Sequence, residues 1–252
     1  MYDFLDLKDK KILITGASSG IGKETATLLS KLGVKVILTA RDEERLKQTL
    51  EALAGASHSY YCFDLKKIDE IESFVLHVVE ENGKLDGLVH CAGIAQNIPL
   101  QNSVFQAVHD TMLLNFYAFM ELVRIFAKKK VNNNGGSVVA MSSVAGASGQ
   151  KSLAAYGASK AALDSALSSL ALELHPKNIR LNSVQAGFVN TPESNRYFTE
   201  HDGDDTAKYL LHRQYMGIIE PLYVANTIAF LLSNSSAYTS GRAIPVDGGF
   251  LT

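Results

Sequence analysis

The sequence predicts an α/β fold: a doubly wound, seven-stranded parallel sheet with helices on both faces. Three observations carry the prediction. Short apolar runs alternate with amphipathic stretches along all 252 residues, the rhythm of βαβ units covered on both sides. A glycine-rich turn separates the first apolar run from the first helical pattern, and no linker, repeat or low-complexity segment breaks the alternation. At this length, with 46% hydrophobic residues, one substantial core is expected, and we read residues 1–252 as a single domain.

In chain order, the strands are expected in KKILITG (10–16), VKVILTA (34–40), HSYYCFD (58–64), LDGLVHCAG (85–93), GGSVVAMSS (135–143), IRLNSVQA (179–186) and GRAIPVD (241–247). Helical patterns run to Leu32, through DEERLKQTLEAL and IDEIESFVLHVVEE, around Asn115, around Tyr156, and from Pro221 to Leu232. Lys128, Lys129 and Lys130 precede NNNGG, where cations suit a helix C-terminus and Asn or Gly suits its cap. After the sixth strand comes a long polar insertion. Residues of about 187–217 are expected to form a substrate lid, because loops beyond strand ends carry ligands; a plain surface excursion is the alternative.

The formal charge of −2 supplies no electrostatic footprint for nucleic acid or an anionic membrane, which leaves small-molecule chemistry favoured. The start, MYDFLDLKDK, carries five charged residues and no apolar h-region, and nowhere do eighteen apolar residues run together. We therefore expect a soluble, unexported, cytoplasmic protein without a membrane span. Cys62 and Cys91 each follow an apolar run and read as buried reduced thiols rather than a disulfide. His90 and Cys91, adjacent on a strand, point to opposite faces and cannot share a metal; no HExxH-like spacing occurs elsewhere, so no metal is expected.

Gly16-Ala-Ser-Ser-Gly20-Ile-Gly22 lies between a strand and a helix, where glycines let the backbone turn tightly against a pyrophosphate and the helix N-terminus supplies N–H donors. The spacing departs from G-x-G-x-x-G. It also fails as a P-loop, since Ala17 stands at the first glycine position and Glu24 follows Lys23. A turn without a ligand is the bland alternative. At the end of the second strand stands Ala40-Arg41-Asp42. Ala40 cannot hold a ribose hydroxyl, whereas Arg41 can receive a 2′-phosphate, which favours NADP over NAD. Asp42 reads as the N-cap of the next helix. Asp64 meets an adenine or caps the following turn.

Tyr156 and Lys160 stand four residues apart in an alanine-rich segment without proline, so both project from one helix face. A free phenol titrates near ~10; a neighbouring ammonium is expected to stabilise the phenolate and lower that value, making Tyr156 a candidate general acid/base. Among the tyrosines of this chain only Tyr156 has lysine four residues on. Ser143, at the end of an apolar run, can return beside the phenol and hold a carbonyl oxygen. Asn115, in the apolar run MLLNFYAF, reads on its own as a buried amide satisfying backbone.

Together, TGASSGIG, the AGI after the fourth strand, Asn115, Ser143, Tyr156 with Lys160, the turn before Thr191 and SGRAIPVDGG resemble the classical short-chain dehydrogenase/reductase family over nearly the whole chain. The resemblance implies a Rossmann-type fold and a catalytic tetrad. In it Ser143 orients the carbonyl, Tyr156 transfers the proton, Lys160 also bonds the nicotinamide ribose, and Asn115 supports a water relay. It further implies that Thr15, Gly16, Ser18, Gly20, Ile21 and Gly22 line the pyrophosphate, with Arg41 at the 2′-phosphate, Asp64 at adenine, Gly93 and Gly187 along the cofactor, and Val189 and Thr191 at the carboxamide.

Two departures stand out. His90-Cys91 replaces a pair of asparagines, placing in doubt the tie that steadies the central strand, and Gln185-Ala186-Gly187 replaces a proline-glycine turn, suggesting a looser nicotinamide loop. The implied activity is NADP(H)-dependent interconversion of a ketone and a secondary alcohol, with 3-oxoacyl thioesters leading by analogy. A sugar-derived or other polar substrate is the rival, motivated by Gln96, Asn97, Gln150 and Lys151. A dinucleotide-binding regulator without turnover is the reading from another class. A homo-oligomer, dimer or tetramer, packed on the helix of Tyr156 is also implied, with Ala158, Ala161, Ala162 and Ser165 permitting close approach.

Overall fold

The computed structural model describes residues 4–200 and 205–252. Seven strands form one sheet: β1 (Lys11–Thr15), β2 (Lys35–Ala40), β3 (Ser59–Cys62), β4 (Leu85–His90), β5 (Asn132–Ser143), β6 (Ile179–Ala186) and β7 (Arg242–Val246). All neighbours pair in parallel, in the order β3-β2-β1-β4-β5-β6-β7. Burial on both faces explains why the central strands read as continuous apolar runs, such as Ile12–Ile14 and Val36–Leu38. The order reverses between β1 and β4, and a doubly wound sheet opens a crevice at such a divergence, outside the carboxyl ends of its strands. Register sets the ends at two levels: Thr15 pairs with His90, so β1 and β4 end together, whereas His90 pairs with Ala140, so β5 runs on to Ser143, which is level with Ala186 and Val246 at the ends of β6 and β7.

One face of the sheet is covered by α1 (Gly20–Lys31), α2 (Glu43–Glu51) and α9 (Pro221–Leu232), through Leu29, Leu46, Val224 and Ile228. The other is covered by α3 (Ile71–Asn82), α5 (Ala118–Phe126) and α6 (Ala154–Leu174), through Phe74, Phe119, Leu122, Leu163 and Leu167. Between α4 (Phe105–Met112) and α5, residues Leu113–Tyr117 form one wide π turn around Asn115. The segment after β6 holds α7 (Pro192–Glu200) and α8 (Asp205–Arg213). Phe198 of α7 rests on Phe188 at 5.2 Å between ring centroids, and Phe188 on Phe250 at 6.1 Å. Arg213 lies over the Phe250 ring and donates to Ser148 Oγ and the Phe250 carbonyl.

Several expectations need correction. The NNNGG stretch begins β5 instead of supplying the helix cap, which is Ala127: the Asn132 side chain donates to the Phe126 and Lys128 carbonyls, while its backbone enters the sheet. Lys128 pairs with Glu72 rather than serving only the helix terminus. Cys62 is exposed, because it ends an edge strand, and its thiol donates to the Arg41 carbonyl; Cys91 is half-buried, and both thiols are free. No described helix is long and apolar enough to cross a membrane.

The central tie, doubtful in the sequence, is made differently. Fully buried His90 Nδ1 lies 3.0 Å from Thr15 Oγ1, and the same hydroxyl accepts from the Ala92 amide at 3.2 Å. Burial, helped by the nearby Lys160 charge, holds the His90 imidazole down to about 3 from its ordinary 6.5. The ring is thus neutral when folded, and between pH 6.5 and about 3 the unfolded chain alone takes up its proton. Stability contributed by His90 should therefore fall with acidification, by about 1.4 kcal/mol per pH unit. Urea unfolding at pH 7 and pH 5 should show His90→Asn losing less stability between the two than the unsubstituted chain, by up to ~2 kcal/mol.

Candidate active site

A cleft of about 810 Å³ opens at the strand ends on both sides of the β1–β4 divergence. Its floor is the turn after β1. Gly16 takes φ 67°, and a Cβ there would stand 2.7 Å from the Ala92 amide nitrogen, so only glycine lets the turn pass against the chain leaving β4. At Gly22 a Cβ would overlap the Gly16 carbonyl, which fixes the first turn of α1 directly on the loop. The α1 N-terminus carries no acidic residue, and Ser19 makes no side-chain cap, leaving amide donors for an anion. Ser18, Gly20 and Ile21 complete the floor.

Thr15 does not join them. Being the last residue of β1, it points into the sheet, where its hydroxyl serves His90 and Ala92; it braces the floor from behind instead of lining it.

At one end of the cleft Arg41 is exposed on the wall. Asp42 is occupied as the α2 cap, accepting from the Arg45 amide at 3.0 Å, and pairs with the Arg45 guanidinium at 3.2 Å. Arg45 lines the same end, a residue that the sequence reading passed over although it lies one helical turn beyond Arg41. Asp64 caps the following turn, accepting from the Lys66 amide at 3.0 Å, and lines the cleft.

At the other end α6 presents Tyr156 and Lys160 on one face. The Lys160 ammonium is buried, donates to the Met141 carbonyl at 2.7 Å, and lies 5.7 Å from the centre of the Tyr156 ring. Desolvation lowers Lys160 to about 8, with Asp164, Cys91 and Glu193 opposing. Ser143, the last residue of β5, sets its hydroxyl toward the phenol, which favours the phenolate, and accepts from the Ala145 amide. The expected acidification of the phenol is not met. Desolvation pushes Tyr156 up to about 12, Ser143 works against it, and the Glu193 carboxylate adds to it.

Asn115 is fully buried. Its Oδ1 accepts from the Ile94 amide at 2.9 Å, and its Nδ2 donates to the Ile94 carbonyl and to Ser159 Oγ, both at 3.0 Å. Gly93 packs between Asn115 and Lys160, where a Cβ would stand 3.2 Å from Asn115 Oδ1. Across the cleft, Gly187, Val189 and Thr191 form the wall beyond β6; a Cβ on Gly20 would approach Thr191 Cγ2 to 3.3 Å and narrow the passage.

Three further residues were missed. Asp164, one turn beyond Lys160, accepts from Ser142 Oγ (2.7 Å), Ser183 Oγ (2.6 Å) and Gln185 Nε2 (2.9 Å). Glu193 and Arg196 of α7 bring a carboxylate and a guanidinium to the cleft. Only their place in the polar insertion hinted at them. Among the described residues no group of three or more His, Cys, Asp or Glu could hold a metal ion.

Residues 16–251 match the family model described as enoyl-(acyl carrier protein) reductase. The chain is 34% identical over 250 residues to an L-xylulose reductase of Caenorhabditis elegans, covering 99% of this chain and 97% of that one. It is 33% identical over 251 residues to the 3-oxoacyl-[acyl-carrier-protein] reductase FabG of Thermotoga maritima, covering 97% and 99%. A variant of actinorhodin polyketide ketoreductase solved with NADPH superposes at a TM-score of 0.87, with 29% identity over 96% of this chain and 97% of that one. With the glycine turn, the Tyr156–Lys160 face and the seven-stranded parallel sheet all in place, these matches over nearly the full length show that the chain belongs to the short-chain dehydrogenase/reductase family of oxidoreductases.

Proposed function

We propose that this protein is an NADP(H)-dependent oxidoreductase that interconverts a ketone and a secondary alcohol. The observation that carries the reading is the convergence of Ser143, Tyr156 and Lys160 at one end of a cleft whose other end carries Arg41 and Arg45. The cleft suits a dinucleotide: glycines where a Cβ would close it, free helix N-terminal donors at its middle, and guanidinium groups where a 2′-phosphate would lie. A bound nicotinamide supplies the hydride. The chain supplies the rest. Ser143 holds the carbonyl oxygen, and the Tyr156 phenol, kept protonated by its surroundings, donates the proton to that oxygen as negative charge develops. Lys160 places a positive charge beside the phenol, which favours the phenolate left behind. Asn115 holds Ile94 and Ser159, and the second lone pair of its Oδ1 remains for a relay water.

For the substrate we favour a 3-oxoacyl thioester, on the likeness to the Thermotoga protein. A polar, hydroxylated ketone is the second reading, supported by Glu193 and Arg196 at the cleft and by the likeness to the L-xylulose reductase. Turnover of a short 3-oxoacyl thioester with NADPH supports the first; sugar-alcohol oxidation with no thioester activity establishes the second. Segment 187–217, of which residues 201–204 lie outside the described residues, is read as the substrate lid of a single domain, supported by Glu193 and Arg196 of α7 at the cleft. We further infer a cytoplasmic homo-oligomer, dimer or tetramer, packed on α6, where Ala158 and Ser165 are exposed and Leu172 is 81% exposed.

Tyr156→Phe should reduce carbonyl turnover by roughly 10²- to 10⁴-fold while NADPH binding, read by fluorescence titration, persists. NADPH binding without turnover across ketone, aldehyde and alcohol panels in the unsubstituted protein would favour a regulator instead. Arg41→Ala should raise the KM for NADPH by roughly ten- to a hundredfold and leave that for NADH nearly unchanged. In the free enzyme the ammonium at about 8 loses its proton as pH rises, so kcat/KM for reduction should fall on a basic limb near that value. In Lys160→Arg, whose charge persists, the limb should move beyond pH 10 or so.

A further inference from the structure

The wall at Gly187–Thr191 follows Gln185-Ala186-Gly187, where a looser loop was expected in place of a proline-glycine turn, yet it is held by a residue 26 positions away in sequence. Gln214 follows directly on α8 and is 1% exposed. Its Oε1 accepts from the Phe188 amide at 2.7 Å, and its Nε2 donates to the Phe188 carbonyl at 2.9 Å and to the Gly217 carbonyl at 2.6 Å. Both amide protons and the carbonyl oxygen are therefore engaged, and the side chain pairs with Phe188 as a neighbouring peptide would. The site is shaped for it. A Cβ on Gly187 would overlap Gln214 Oε1, and one on Gly248 would stand 2.8 Å from Gln214 Cγ, so two glycines from different strand ends leave room for this one side chain. Backbone bonds finish the clamp: Gly187 donates to Val246, Ile219 to Phe188, and Asn190 to Ile219.

We propose that Gln214 is a positioning residue that latches the end of α8 to the nicotinamide-side wall of the cleft. It takes over the stiffness that a proline at Ala186 would supply, and it makes the shape of that wall depend on α8 being docked. The proposal rests on the dinucleotide reading of the cleft. Gln214 touches neither the adenosine end, formed by Arg41, Arg45 and Asp64, nor Tyr156, so its influence is confined to one half of the ligand.

The test compares two probes by calorimetry: NADP⁺, and adenosine 2′,5′-bisphosphate, which lacks the nicotinamide half. Gln214→Ala should weaken NADP⁺ roughly tenfold while leaving the bisphosphate unchanged. Gln214→Glu keeps the shape and the acceptor for Phe188 but turns an oxygen toward the Phe188 and Gly217 carbonyls. It should weaken NADP⁺ at least as much at pH 8 and recover part of the loss at pH 5, where the protonated acid donates again. Unchanged NADP⁺ affinity in both variants overturns the latch, and so does equal weakening of both probes, which marks a general loss of structure. If the unsubstituted protein binds the bisphosphate but not NADP⁺, the cofactor reading falls, and the latch with it.

Discussion

The hydrogen bond from the Lys160 ammonium to the Met141 carbonyl is the constraint on which the site depends. A cation that is 4% exposed is costly unless it is hydrogen-bonded and balanced by charge, and this one has both the strand carbonyl and the field of Asp164. The bond joins α6 to β5 two residues before Ser143. One helical turn later Asp164 joins α6 to Ser142 and, through Ser183 and Gln185, to β6. Two successive turns of one helix are thus pinned to two successive residues of one strand. The phenol and the Ser143 hydroxyl inherit their alignment from that pair of attachments.

Much of this was legible in the sequence because its causes are local. Six of the seven strands fall within the apolar runs that a parallel sheet requires, β5 overruns its own by starting at Asn132, α9 spans Pro221 to Leu232 as read, and Asp42 caps α2. The common face of Tyr156 and Lys160 follows from helical spacing alone. What escaped depends on how distant pieces of chain meet. Thr15 belongs to the motif by position but turns toward His90, a choice made by the pairing of β1 with β4. The phenol was expected to be acidified by its neighbour, whereas desolvation, set by the cleft walls, dominates. Asp164 and Gln214 act on partners 19 to 26 residues away, and nothing in their immediate neighbourhood marks them.

The cleft is electrically uneven in a way that fits its two tasks. Guanidinium groups and helix amides gather at the end suited to phosphates, and a single ammonium stands behind the phenol. Glu193, entering from α7, adds negative potential near the phenol and the lysine, where it holds a proton on the one and a charge on the other. The segment above the cleft therefore affects its chemistry as well as its shape.

The wide turn at Leu113–Tyr117 sets a limit of a different kind. It adds a residue to what would otherwise be one regular helix, and that extra residue aims the Asn115 amide at Ile94 while α5 still buries Phe119 and Leu122. Removing one residue there would let α4 and α5 run on as one regular helix, so the apolar stripe would keep its face while the Asn115 amide lost the wide turn that aims it at Ile94. In this stretch the number of residues, and not only their identity, decides where the amide points.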